Sequence, residues 1–267
     1  MELGLKNKVA LVLASSKGLG LACAKVLYRE GADVMICSRS EENLKNAKEE
    51  IQKQESASEE NKVVWTVADL SVEDQINKLV SNTMDIFGRI DILVHNAGGP
   101  PSAPIKEISK DEWSHSLKLN LQSFIWTSDL VVPIMEKQGG GSIIAITSVS
   151  VKQPLDNLVL SNTTRLGVVG FAKTLSNERA ADNIRVNVVC PGPTLTDRMK
   201  ELIHSNMKQM NKSKEEVKKA WTDQIPMGRM GKPEELATLV AFLASEKASY
   251  ITGTAIQVDG GFVKGPF

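Results

Sequence analysis

The sequence predicts an α/β fold, a single-domain doubly wound parallel sheet flanked by helices. Three observations carry this. Strand-like and helix-like segments alternate from end to end. The strand-like segments are unbroken apolar runs, such as Val9-Ala10-Leu11-Val12-Leu13, as strands covered on both faces must be. The first run enters Ala14-Ser15-Ser16-Lys17-Gly18-Leu19-Gly20, which opens a helical pattern of Leu21, Ala24, Val26 and Leu27.

Each element has its own signal. Residues 8–13 form the first strand and 18–30 the first helix, which Gly31 stops in the usual position after a helix end. Strand 33–37 follows, then the charged amphipathic helix 41–54, the polar loop 55–61 and strand 62–67. Helix 72–87 carries Ile76, Leu79, Val80, Met84 and Phe87 on one face. Gly88-Arg89 turns into strand 91–95. A long helical stretch covers 110–137 and ends at Gly139-Gly140-Gly141. Strand 142–147, helix 157–179, strand 184–189, a polar helical region 196–221, helix 233–244 and strand 254–258 complete the chain. No linker or internal repeat interrupts it, so residues 1–267 form one domain.

Composition narrows the function. The 267 residues carry 32 basic and 32 acidic side chains, with no basic tract, which argues against a nucleic-acid partner. No apolar run reaches the length of a membrane span, and the first residues lack a secretory apolar region. Cys23, Cys37 and Cys190 are odd in number and widely spaced. They read as buried free thiols in a reducing cytoplasm, with neither a disulfide framework nor a metal site.

In doubly wound sheets, ligands bind beyond the carboxyl ends of the strands. The glycine turn aims free N–H groups and a positive helix end at that space, which suits a phosphate, although two glycines alone fit a bare turn equally well. The other ends are Ser38-Arg39, Asp69-Leu70, Asn96-Ala97-Gly98-Gly99, Ser148 and Pro191-Gly192-Pro193. Six small, polar or Gly/Pro tips together suit a long polar cofactor.

These tips, with Asn120, Thr194, Thr196 and the tail Gly228-Arg229…Pro233-Glu234-Glu235…Tyr250-Ile251-Thr252-Gly253…Asp259-Gly260-Gly261, resemble the short-chain dehydrogenase/reductase family over nearly the whole chain. The tail looks most like the 3-oxoacyl-carrier-protein reductase and sugar dehydrogenase branches. The resemblance implies a Rossmann-type fold, a nicotinamide dinucleotide, a small carbonyl or alcohol substrate and a homotetramer. It assigns Ser15, Ser16, Lys17, Gly18, Leu19 and Gly20 to the phosphates, and Asp69 and Leu70 to adenine. Asn96 and Gly98, with Ala97 between them, line the ribose. Pro191, Gly192, Thr194 and Thr196 hold the nicotinamide end. Ser38, Arg39 and Lys17 stand where the family chooses its cofactor, with no acid directly after Cys37. A 2′-phosphate wants such cations, so NADP is favoured over NAD. Leu13 and Ala14 depart from the family's usual Thr and Gly.

The catalytic group departs further. The resemblance supplies a tyrosine, a lysine four residues later, a serine and an asparagine. Ser148 and Asn120 match the last two. Counting back from Gly170-Phe171-Ala172-Lys173, Ser161 occupies the tyrosine position and Arg165 the lysine position. A phenol has a pKa of about 10 and water about 15.7. An alcohol near water therefore gives up about 7 kcal/mol of proton-donating power, of which a fraction reaches the barrier.

Three functions fit. The first is an oxidoreductase whose proton comes from a water held by Ser148, Ser161 and Asn120, or from His95 or His115. The second is dinucleotide binding without turnover, as a sensor or assembly subunit. The third, hydrolysis by Ser161 or Ser148, lacks the Gly-x-Ser-x-Gly elbow and a flanking acid–base pair. The first is favoured because the cofactor residues are otherwise kept. Residues 196–226 are expected to form a substrate lid, with Leu202, Ile203, Met207, Met210, Val217 and Trp221 on its inner face or packed on the core, opposite the loop 98–104.

Overall fold

The computed structural model describes residues 2–58, 60–211 and 213–266. Among them a seven-stranded parallel sheet runs in the order β3-β2-β1-β4-β5-β6-β7. The strands are β1 (Val9–Val12), β2 (Asp33–Ser38), β3 (Val63–Val67), β4 (Ile92–His95), β5 (Gly141–Ile146), β6 (Ile184–Pro191) and β7 (Ala255–Val258). Strand residues alternate between two cores, as the period of two requires. Ala10, Val12, Val34, Ile36 and Val94 pack with α1 (Gly18–Arg29), α2 (Glu41–Gln52) and α9 (Pro233–Ala244). Leu11, Met35, Leu93, Ile143 and Val188 pack with α3 (Glu73–Phe87), α5 (Ser123–Gln138) and α6 (Val159–Arg179). The doubly wound single domain expected from the apolar runs is the one observed.

Strand order reverses at β1. The chain leaves it toward β2 and β3, then crosses back to β4 on the other side. Buried Asp91 fastens the amino ends of this pair. Its carboxylate accepts the Val9 N–H at 2.9 Å and the fork of Arg89 at 2.8 and 2.6 Å. The carboxyl ends are left free to diverge around a crevice.

Two helical expectations need correction. The stretch predicted as one helix over 110–137 is α4 (Lys110–Ser116), a π-helical turn (Leu117–Gln122) and α5. Side chains inside the break bond to main-chain carbonyls. Asn120 Nδ2 donates to Ser116 O at 3.2 Å, and Ser123 Oγ donates to Leu119 O at 2.6 Å. The polar region is likewise two helices, α7 (Asp197–Met210) and α8 (Lys214–Thr222). Asn211 closes the first with a left-handed φ of 51°, and a Ser213–Glu216 capping box starts the second. Shorter differences fall at element ends, where caps and carbonyl bonds decide by a residue or two.

The region after 196 sits on a third core. Met199, Ile203 and Val217 are buried with Val149, Ile225, Met230 and Phe262, and Leu202, Met207 and Trp221 pack against them. Trp221 stacks on Phe262 with ring centroids 6.1 Å apart. The Met210 side chain lies outside the described residues. All three cysteines are free and buried. No described helix is long and apolar enough to cross a membrane.

Candidate active site

All six strand tips open on one cleft of about 510 Å³. Ser16, Lys17, Gly18 and Leu19 come from the turn after β1, and Ser38 and Arg39 from the end of β2. Asp69 and Leu70 follow β3, and Asn96, Ala97 and Gly98 follow β4. Ser148 follows β5, and Pro191, Gly192, Thr194 and Thr196 end or follow β6. Ser161 and Arg165 reach the same cleft from α6.

The turn after β1 is shaped for an anion. Lys17 is the N-cap of α1, and no side chain caps that helix, so its first N–H groups face the cleft without a protein acceptor from a capping side chain. Gly18 is left-handed, with φ of 60°. Gly20 does not line the cleft; a Cβ there would lie 2.5 Å from the Ala14 carbonyl oxygen, so its smallness serves the close turn. Ser15 is also turned away. Fully buried, it donates to Val12 O at 2.6 Å and accepts the Cys37 N–H at 3.1 Å, which ties the tips of β1 and β2 together. Asn96 Nδ2 donates to Ala14 O at 3.1 Å and joins the tips of β1 and β4 across the switch point. Ala14 itself has φ of 45°, so the alanine noted at a usual glycine position sits in the strained left-handed region.

Charge is distributed along the cleft. Exposed Lys17 and Arg39 have no carboxylate oxygen within 4 Å among the described residues. Asp69, at the β3 tip, accepts the Ser71 N–H at 2.9 Å and the Ser71 hydroxyl at 2.7 Å. Its pKa is lowered: burial opposes ionisation, and the two Ser71 bonds with the nearby Arg39 outweigh it.

At the other end, Arg165 is buried and held by main-chain carbonyls alone. Nη1 donates to Ile146 O at 3.1 Å and Nη2 to Ala97 O at 3.4 Å, the tips of β5 and the loop after β4. Burial, then the positive charge of Arg198, pushes its pKa down to about 10, so it stays cationic at neutral pH. Ser161 is 7% exposed. Ser148 Oγ accepts the Ser150 N–H at 3.1 Å, and its hydroxyl hydrogen has no acceptor in that bond.

Asn120 belongs to the π-helical turn and is 1% exposed. It does not line the cleft, and its Oδ1 has no partner. Neither histidine weighed as a donor lines the cleft. His115 is on the surface of α4. His95 is buried 4.9 Å from the Phe124 ring. Its Nε2 lies 2.9 Å from Ser123 Oγ, whose hydroxyl donates to Leu119 O, so the ring carries its proton on Nε2. Burial and the Arg165 charge push its pKa down to about 3. Tyr28 packs against the core beneath α1 and Tyr250 is fully exposed, so no phenol lines the cleft among the described residues.

Leu202 and the loop residues Gly98, Gly99 and Pro100 line the cleft as expected, and Leu158 and the first-turn residues Arg198 and Met199 of α7 add walls that the sequence pattern did not reveal. Arg198 Nη2 donates to the Pro100 carbonyl. A helix starting at Thr196 places its first turn beside the cofactor tips, and that was the available signal. Ile203, Met207, Val217 and Trp221 face the third core instead of the cleft.

Comparison with known proteins agrees with this geometry. A family model described as Enoyl-(Acyl carrier protein) reductase matches residues 13–263. The chain is 37% identical over 258 residues to human dehydrogenase/reductase SDR family member 4, covering 96% of this chain and 88% of that protein. It is 34% identical over 259 residues to the 3-oxoacyl-[acyl-carrier-protein] reductase of Thermotoga maritima, covering 97% and 99%. The fold superposes on the L-sorbose reductase of Gluconobacter frateurii, solved with NADPH and L-sorbose. The TM-score is 0.92 at 32% identity, covering 99% of this chain and 100% of that one.

Two outcomes follow for stability. Left-handed backbone costs alanine about 1–2 kcal/mol and glycine's extra unfolded freedom costs about 0.5–1 kcal/mol. Ala14→Gly should therefore stabilise the fold by about 0.5–1 kcal/mol in urea unfolding. His95 has a folded pKa of about 3, below its ordinary 6.5. Its contribution is complete above pH 6.5 and is lost as pH falls toward 3, because only the unfolded chain takes up the proton. At about 1.4 kcal/mol per unit, that loss is about 2 kcal/mol between pH 7 and pH 5. Unfolding curves of His95→Gln, measured beside the native protein over that range, should lack this component.

Proposed function

The chain belongs to the short-chain dehydrogenase/reductase family, and from that premise we propose that it is a cytoplasmic NADP(H)-dependent oxidoreductase. Its substrate is a small carbonyl compound or alcohol, and Ser161 and Arg165 stand where the family resemblance implies tyrosine and lysine. The observation that carries this reading is the cleft itself: residues from six strand tips and both atypical residues, Ser161 and Arg165, share one wall system.

The residues present fit the dinucleotide. The uncapped start of α1, with Ser16, Lys17, Gly18 and Leu19, would hold the phosphates. Arg39 and Lys17 would hold the 2′-phosphate, Asp69 and Leu70 the adenine, Asn96 to Gly98 the ribose, and Pro191, Gly192, Thr194 and Thr196 the nicotinamide end. NADPH, when bound, supplies a hydride. Ser148 and Ser161 donate hydrogen bonds to the substrate oxygen. Arg165, cationic and screened from solvent, stabilises the negative charge that grows there. A water held between the two serines would relay a proton from solvent to the substrate oxygen, which balances the hydride received by the carbonyl carbon and leaves an alcohol. Asn120 supports this wall from behind by shaping the turn next to α5.

One observation favours a second function, dinucleotide binding without turnover: neither tyrosine and no histidine lines the cleft among the described residues. Mixing the protein with NADPH and a panel of oxoacyl esters, ketones and ketoses separates the two. Loss of NADPH absorbance supports the oxidoreductase, and tight binding without loss on any compound supports the binder. Arg39→Ala should weaken NADPH binding about tenfold, as expected for an exposed charge-assisted contact, and leave NADH unchanged. Equal losses for both cofactors would reject the NADP assignment.

The same reading makes the protein a homotetramer. Leu117, in the turn that holds Asn120, and Leu166, on the helix that holds Ser161, are 38% and 54% exposed and would be covered by a second copy. Sedimentation equilibrium should return the mass of four chains, and a single-chain mass would refute this assembly.

A further inference from the structure

We propose that the substrate is an oxo acid with a short apolar chain, and that Arg198 binds its carboxylate at the mouth of the cleft. This rests on the oxidoreductase reading only for the oxo group; the carboxylate site is argued from charge and geometry.

The chain has no net charge, yet the cleft wall carries Lys17, Arg39, Arg165 and Arg198 against two carboxylates, Asp69 and Asp197. Neither carboxylate pairs with Arg165 or Arg198 among the described residues. Asp69 takes two bonds from Ser71 at the β3 tip, and Asp197 accepts Lys200 Nζ at 2.8 Å. Lys17 and Arg39 belong to the phosphate end. Arg165 and Arg198 belong to the end where Ser148 and Ser161 stand.

Within this second pair Arg165 has no carboxylate partner among the described residues, and Arg198 has one that is largely exposed. Arg165 is bound only by the carbonyls of Ile146 and Ala97. Arg198 donates to the Pro100 carbonyl and reaches the Glu201 carboxylate at 3.4 Å, on a side chain that is 62% exposed and therefore well screened. Two guanidinium groups near one another in a concave site repel, and an anion between them would relieve that cost. The planar fork of Arg198 suits a carboxylate.

Position is set by the neighbouring loop. A Cβ on Gly99 would lie 2.6 Å from Arg198 Nε, so the glycine leaves room for the guanidinium against the loop backbone. Leu158, Met199 and Leu202 line the adjoining wall, which gives the body of the ligand an apolar surface. A methionine and leucines adapt to chains of varied shape, so selectivity comes from the charged anchor.

The probes are 2-oxooctanoate and 5-oxooctanoate with their methyl esters, titrated calorimetrically into the NADPH-saturated protein and assayed for NADPH consumption. At least one acid should bind about tenfold or more tighter than its ester, the worth of one charge-assisted contact. Arg198→Gln should bring acid and ester within about twofold, Arg198→Lys should keep part of the preference, and both should bind NADPH as the native protein does. Equal binding of acids and esters by the native protein overturns the proposal. So does an Arg198→Gln variant that loses NADPH affinity as Arg39→Ala does, because Arg198 would then be a cofactor contact. Acid-selective binding with no NADPH consumption overturns the oxidoreductase reading and leaves the carboxylate site standing. Esters turned over as fast as acids overturn the carboxylate site and leave the oxidoreductase.

Discussion

The parallel pairing of β1 with β4 is the constraint from which the cleft follows. Two crossovers leave this pair in opposite directions, so no helix covers its carboxyl ends. The strand tips that open there are turns, which offer main-chain N–H groups, small side chains and charges, and α6 and α7 add Ser161, Arg165 and Arg198 from the side. The bond from Asn96 to the Ala14 carbonyl then sets how far the two ends part. Ser15 performs the matching task between β1 and β2. Both residues shape the cleft through the backbone, and only Asn96 also forms part of its wall.

Placing Arg165 in a buried site has a cost that the fold meets with carbonyl dipoles. A buried cation without a carboxylate partner is eased by hydrogen bonds to its donors, and the carbonyls of Ile146 and Ala97 each accept one. The consequence reaches His95, whose proton is disfavoured first by burial and then by this charge. The same field that would steady an oxyanion keeps a nearby imidazole neutral. A histidine close to such a cation is therefore poorly suited to act as an acid.

Much of the architecture could be read from residues alone, because buried parallel strands must be apolar throughout and their ends must turn sharply. The six tips were legible for that reason, as was the register that places Ser161 and Arg165 one helical turn apart on α6. What stayed hidden was direction. Ser15, Gly20 and Asn120 have the residue types a site uses, yet each faces inward toward its own backbone. The break at 117–122 is accompanied by side chains bonding to carbonyls four residues back, which an apolar period does not record. Arg198 sat in a run of alternating charges that resembled a solvated surface. Its role at the wall arises from the meeting of α7 with the loop at Pro100, a contact 98 residues apart in sequence.

The stack of Trp221 on Phe262 joins α8 to the final stretch of the chain. Met199 and Ile203 of α7 rest on the same cluster. The helix whose first turns line the cleft is thus anchored in the final stretch of polypeptide, and not only in α8. Lifting α7 away as a rigid flap would strip water-excluded surface from Phe262 and Val149 together. A change at that remote aromatic ring would accordingly be felt in the packing of α7, which couples one wall of the cleft to a part of the chain that does not line it.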